Sequence, residues 1–299
     1  MGVLATCLPH RFKDQATMIL FPRFHLMEIE DQSWCPSWLR ESSHSSLAQM
    51  WKTQSSKKGS PASQACDLIF ENMDDVANST FIDACAGAGG PTPLLEARLN
   101  QILRSQGKAP APFILTDLYP DLNAWKSIVK KSENISYVEK PIDATKAKRL
   151  AAPGRKECRT FNLCFHHFDD PAAKAVLRSA VQEADAFVIF EMTQRNFMAL
   201  MNTSIVILSP LITTLIFFWN SPIHLFFTYL IPLVPLFYAV DGYVSCIRTR
   251  TPNETRDLLW SQPDLDLSEW EFKSGERMVL PPFGNLYWYM GVKKEKKIA

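Results

Sequence analysis

Three aspartates stand at spacings that would bring them to one edge of a parallel sheet. Asp83, Asp117 and Asp143 each close or follow a short apolar run. Between the first two lies Asp83-Ala84-Cys85-Ala86-Gly87-Ala88-Gly89-Gly90-Pro91, a glycine turn directly after a strand-like run. Gly87, Gly89 and Gly90 carry no side chain, so a ligand can approach the backbone between strand and helix. A ligand with an adenosyl group and an amino-acid arm needs this close approach, a carboxylate for the arm and another for the ribose hydroxyls. Asp83 is placed for the first task and Asp117 for the second, while Asp143 would lie near the adenine amino group. The glycines do not follow the Gly-x-Gly-x-x-Gly spacing, so no pyrophosphate cradle is expected and a nicotinamide dinucleotide is disfavoured.

A second group of reactive side chains follows in Phe165-His166-His167-Phe168-Asp169. At the carboxyl edge of a sheet, His166 or His167 could take a proton from a methyl acceptor. Either imidazole could equally be packed and hydrogen-bonded in a helix cap. Read as a strand end, neighbouring histidines point to opposite faces, so no metal site is expected. Glu191 closes a later apolar run, as a further polar group of the site or as a helix cap.

These residues require an alternating βα frame. Strands are expected at Phe81 to Cys85, Phe113 to Thr116, Ser136 to Glu139, Thr160 to Phe165 and Ala186 to Glu191. Helices are expected at Thr92 to Gln106, Asp121 to Lys131 and Pro171 to Ala184, and an antiparallel pair at Glu271 to Leu280 and Leu286 to Val292. The fold class is α/β, a Rossmann-like and mostly parallel sheet. From Met198 to Val240 the chain contains no Asp, Glu, Lys or Arg. Its runs Met201 to Trp219 and Ile223 to Val240 are each close to the ~20 residues that cross a bilayer core. A transmembrane or membrane-dipping helical hairpin is therefore expected, with the catalytic part on the cytoplasmic side because Arg195, Arg248 and Arg250 flank it. The chain divides into a helical and loop preface at 1–64, a cofactor-binding core at 65–197, the apolar hairpin at 198–240 and a completing segment at 241–299.

Composition narrows the partners. With 32 basic and 31 acidic residues the net charge is +1, which favours no nucleic-acid partner. Seven cysteines without a Cys-x-x-Cys pair suggest free thiols in a reducing compartment. The opening Met1-Gly2 and Cys7 fit a loose acylation pattern, though a frayed terminus explains them as well. The preface, with Trp34, Trp38 and Trp51, reads as packing on the sheet edge or as a lid.

The glycine turn resembles that of class I S-adenosylmethionine-dependent methyltransferases, and a bacterial and fungal group within them is similar along most of the chain. The likeness also rests on Phe165 to Phe168, Val188-Ile189-Phe190-Glu191, Thr228 to Pro235, Asp241 to Pro252, and the acidic Trp-Pro preface Glu28 to Pro36. It implies S-adenosylmethionine as cofactor, with Asp83, Gly87, Gly89, Gly90, Asp117 and Asp143 around it, and an apolar hairpin inserted after the fifth strand. It names no acceptor. Two departures stand out: Ala86 where a first glycine is common, and Arg250, beside the apolar segment, where an aromatic is expected and where it could touch substrate or face lipid. The expected activity is methylation of a lipophilic small molecule such as a secondary metabolite, quinone or lipid. A non-catalytic membrane adaptor and a cofactor-dependent cyclase or eliminating enzyme are the alternatives.

Overall fold

The computed structural model describes residues 18–54 and 58–294. Gly2, Cys7, part of the expected linker and the end of the basic tail lie outside the described residues. The frame is a seven-stranded sheet in the order β3-β2-β1-β4-β5-β7-β6. Its strands are Ser79–Asp83 (β1), Phe113–Leu115 (β2), Ile135–Tyr137 (β3), Lys156–Asn162 (β4), Ala186–Glu191 (β5), Trp270–Leu280 (β6) and Gly284–Lys293 (β7). The first five are parallel, and β7 runs antiparallel against β5. Every residue of β1 and of β5 is buried, as strands covered on both faces must be. The chain direction across the sheet reverses between β1 and β4, and the carboxyl ends of those strands form the crevice where such folds take ligands.

The fourth strand begins and ends earlier than Thr160 to Phe165, and Phe165–His167 is a single 3-10 turn. The reason lies in Glu157 and Arg159, which look like surface residues yet are buried. They pair at 2.9 Å, and Arg159 also donates to Ser179 Oγ and to the Ala147 carbonyl. Internal pairing lets a charged stretch occupy a central strand.

Helices cover both faces. Pro61–Asn72 (α2), capped by Ser60, and Thr92–Ser105 (α3) pack on one another. The core thus begins at Pro61, slightly before the expected boundary at 65. Leu122–Val129 (α4) starts at an Asp121 cap, and Asp170–Glu183 (α5) at an Asp169 cap with Pro171 in its first turn. Pro252–Trp260 (α10) opens on a capping box between Thr251 and Glu254.

The uncharged stretch folds as Phe197–Leu208 (α6), Pro210–Phe217 (α7), the short Pro222–Leu225 (α8) with a π-helical turn at Phe226–Leu230, and Leu233–Arg248 (α9). The boundary expected at 240 falls inside α9. No single described helix is long and apolar enough to cross a membrane. Two bent pairs reach that length and composition together, with bends of 41° and 75° at the breaks before Pro210 and after Leu230. The arms close against each other, since an added Cβ on Gly242 of α9 would stand 2.9 Å from Thr203 Cγ2 of α6. The preface packs on this hairpin at one end, and at the other Trp51 enters the core of the sheet with Val279 and Leu286 of the edge pair. Ser37–Lys52 (α1) stacks Trp38 on Phe227 at 5.5 Å and sets it edge-on to His224 at 5.3 Å, while Tyr238 donates to the Ser42 carbonyl at 2.8 Å.

Candidate functional site

The turn after β1 is held open by its neighbours. Gly87, Gly89 and Gly90 all have positive φ, and no atom would meet a Cβ on Gly87 or Gly90 within 4 Å. Gly89 is different: a Cβ there would stand 2.3 Å from Ile128 Cδ1, so this glycine lets the turn close against α4. Trp125 Nε1 donates to the Gly87 carbonyl, and the Gly87 N–H donates to Asp117, both at 2.8 Å. Ala86, in place of a first glycine, is buried and donates its N–H to the Thr116 carbonyl.

The carboxylates expected around the turn have three different states. Asp83 is buried and accepts from Thr92 Oγ1 at 2.5 Å, while its Oδ1 has no hydrogen-bond partner. Burial lifts Asp83 to about 7, against the lowering by its bond from the Thr92 hydroxyl. The Oδ1 of Asn162, at the end of β4, is likewise buried without a partner. Two adjacent unsatisfied acceptors are costly in an apolar surrounding and suit a donor-rich cation. Asp117 accepts from the Gly87 and Tyr119 N–H groups, one on each oxygen, which leaves each oxygen a lone pair. Asp143 accepts from the backbone and hydroxyl of Thr145, and these bonds hold it below the usual carboxylate range. Asn162 was not singled out in the sequence, where it fell inside the strand expected from Thr160 to Phe165.

The two histidines come together instead of pointing apart. On the 3-10 turn their ring centroids are 4.3 Å from each other. His166 is buried, and its Nδ1 lies 2.8 Å from Glu191 Oε2. Against a carboxylate Nδ1 is the donor, which leaves Nε2 as the ring nitrogen open to another partner. Glu191 also accepts the His166 N–H, so it both caps this turn and orients the ring. His167 Nδ1 lies 2.9 Å from Asp31 and 3.2 Å from Glu28. Burial alone would lower this imidazole, but the Asp31 hydrogen bond and the Glu28 charge outweigh it and raise it to about 9. His167 is therefore an imidazolium at neutral pH, and the proton-accepting role falls to His166.

Glu28, His166 and His167 bring possible ligand atoms within 4.8 Å of one another. The cluster already contains compensating cations, since the Arg248 guanidinium lies 3.5 Å from Glu28 and 2.8 Å from Asp31. Arg248 also donates to the carbonyls of His166 and His167 at 3.1 and 2.8 Å. Arg250 does not face lipid. It is buried, lies over the Phe165 ring at 5.4 Å, and donates to Asp170 and the Phe168 carbonyl. Arg195 is likewise buried in an ion pair with Glu254. The three arginines read as membrane-flanking charges are thus buried, Arg248 and Arg250 bracing the histidine turn and Arg195 tying Glu254 to the start of α6.

No family model matches the chain, and no curated protein matches it. Among solved structures it is similar to the pyocyanin biosynthetic protein PhzM, at 17% identity and a TM-score of 0.43, over 77% of this chain and 54% of that one. The O-methyltransferase NcsB1 from neocarzinostatin biosynthesis, in complex with S-adenosyl-L-homocysteine and 1,4-dihydroxy-2-naphthoic acid, matches at 14% and 0.41, over 77% and 56%. Magnesium protoporphyrin IX methyltransferase from Synechocystis PCC 6803 with bound S-adenosylmethionine matches at 8% and 0.44, over 91% and 100%. The chain spans little more than half the length of the first two. These likenesses all lie below a TM-score of 0.5, and no family, activity or residue role is taken from them.

Proposed function

We propose that the chain is an S-adenosylmethionine-dependent methyltransferase that works at a membrane surface on a lipophilic small molecule. The observation that carries the cofactor is the pair of unpartnered buried acceptors, Asp83 Oδ1 and Asn162 Oδ1, beside an open glycine turn. They fit the ammonium of an amino-acid arm. Asp117 keeps lone pairs for ribose hydroxyls, Asp143 lies after β3 on the adenine side, and Gly87 and Gly90 leave room for the cofactor backbone. The bound cofactor would supply an electrophilic methyl group. His166 Nε2 then accepts the proton that an acceptor hydroxyl loses, and Glu191 stabilises the imidazolium formed.

The hairpin supports attachment to one leaflet. Its outer side exposes Leu208, Ile212, Leu215, Ile216, Trp219 and Leu230, each more than half accessible. Its inner side carries α1, whose Trp38 reaches the region of the hairpin tip with Arg40 and Glu41 close behind. A spanning hairpin would draw those charges into the bilayer, whereas a hairpin lying in the interface leaves them in water. Six free thiols among the described residues favour the reducing, cytoplasmic side.

Calorimetric titration with S-adenosylmethionine tests the cofactor assignment. Wild type should bind, Asn162→Ala should bind at least tenfold more weakly, and Glu191→Gln should bind as wild type does. Absence of binding by wild type refutes the proposal.

A further inference from the structure

His166 is the candidate base, yet its side chain is only 7% exposed. What covers it is the N-terminal strap, residues 18–36, which has no helix or strand of its own. Glu28 of this strap is 2% exposed and places Oε1 3.8 Å from His166 Nε2, on the ring nitrogen that Glu191 leaves free. The other carboxylate oxygen faces His167 at 3.2 Å, and Ser245 donates to Oε1 at 3.0 Å. A carboxylate oxygen thus stands beside the base, ringed by donors, where the oxygen of an acceptor has to stand.

The fastenings of the strap run mostly to the apolar hairpin. Asp241 of α9 accepts from the N–H groups of Ile29 and Glu30 at 2.7 and 2.9 Å. Arg248 holds Asp31, the Phe24 N–H reaches the Ile247 carbonyl, and the Leu20 N–H reaches the Arg195 carbonyl at the root of α6. Other ties go elsewhere, from Arg23 to Asp170 at the start of α5, from Asp31 to His167, and from Glu30 to Ser43 and His44 of α1. The outward side of the strap is apolar, with Met18, Phe24 and Met27 more than half exposed. The strap and the hairpin therefore both expose apolar side chains.

We propose that the strap is a lid whose Glu28 carboxylate occupies the acceptor-oxygen seat beside His166, and that seating of the hairpin on a lipid surface opens it. This rests on the membrane reading given above. The acceptor class follows from the seat: an oxygen nucleophile, hydroxyl or acidic enol, on an apolar body that comes from the leaflet. A lipid surface suits the face better than a second protein copy. It is bent and carries no charge from Met198 to Val240, and Trp219, Tyr229 and Tyr243 provide interfacial aromatics.

Carbethoxylation of histidines by diethyl pyrocarbonate, read by peptide mass spectrometry on the full chain, tests the lid. In buffer, His166 should react slowly relative to N-acetylhistidine added to the same solution. Phosphatidylcholine vesicles should speed His166 at least tenfold with the added N-acetylhistidine unchanged, and Asp241→Asn should speed it without vesicles. Vesicle flotation is measured on the same samples. Protein that floats while His166 stays protected overturns the lid and leaves the membrane reading standing. Protein that does not float, alone or as a sedimenting dimer, overturns both.

Discussion

Asp83→Asn separates the role of this carboxylate in folding from its role in binding. In the folded protein, burial holds Asp83 to about 7, against 3.8 for the free group. As pH rises above 3.8 the unfolded chain ionises first, so the stability contributed by the neutral carboxyl declines and is lost as pH passes 7. About three units correspond to roughly 4 kcal/mol between pH 4 and pH 8. Asparagine has no such slope. The stability difference between Asp83→Asn and wild type should therefore swing by about 2–3 kcal/mol in favour of the mutant from pH 5 to pH 8, whatever constant cost the amide brings. Urea denaturation at the two pH values measures it, and thermal midpoints should shift by about 5 °C relative to each other. Cofactor binding should move oppositely. Loss of a charge-assisted bond to the ammonium weakens S-adenosylmethionine by about ten- to a hundredfold. Near pH 7 wild type should also release protons on binding, because the incoming cation ionises Asp83. Titrations in buffers of different ionisation enthalpy read this directly, and the mutant should release none. A mutant whose stability difference is flat with pH, or which binds the cofactor as wild type does, refutes the reasoning.

Three further outcomes test other parts of the structure. Gly89→Ala combines a φ of 103° with a Cβ 2.3 Å from Ile128, so it should destabilise the turn by about 1–3 kcal/mol in denaturant titration, and Ile128→Ala should recover only part of the loss. His167 is raised from 6.5 to about 9, so its contribution to stability is fully present below pH 6.5 and fades as pH rises through 9. The stability gap between wild type and His167→Asn, followed by urea midpoints, should narrow over that window; a constant gap would show the ion pair with Asp31 to be unimportant. Glu157→Gln leaves the buried Arg159 without its carboxylate and should cost about 3–5 kcal/mol, while Glu157→Leu combined with Arg159→Met should recover most of it in the same assay.

Much of the frame was legible from local pattern. The apolar runs that became β1, β2 and β5 were placed within a few residues, because burial on both faces demands unbroken apolar side chains, and the pair β6 and β7 was placed as closely although the edge strand β6 is only partly buried. β4 was misplaced because two of its buried positions hold Glu157 and Arg159, whose mutual pairing no local window reveals. That shift also hid Asn162 and set His166 and His167 on opposite faces, when a 3-10 turn stacks them. Arg195, Arg248 and Arg250 looked like charges at the edge of a membrane segment. Their partners, Glu254, Asp31 and Asp170, are distant in sequence from them or hidden by the fold's return, and only packing turns these arginines into struts.

The order of residues by itself determined the α/β frame, the glycine turn, the carboxylates after successive strands and the uncharged hairpin, because each of these is a local matter of side-chain size, backbone freedom and hydropathy. Tertiary structure alone decided which carboxylate is left unsatisfied, which histidine can accept a proton, and that Glu28 covers it. Those properties depend on desolvation and on charges brought within a few ångströms from segments more than a hundred residues apart, and such neighbours exist only once the chain has closed on itself.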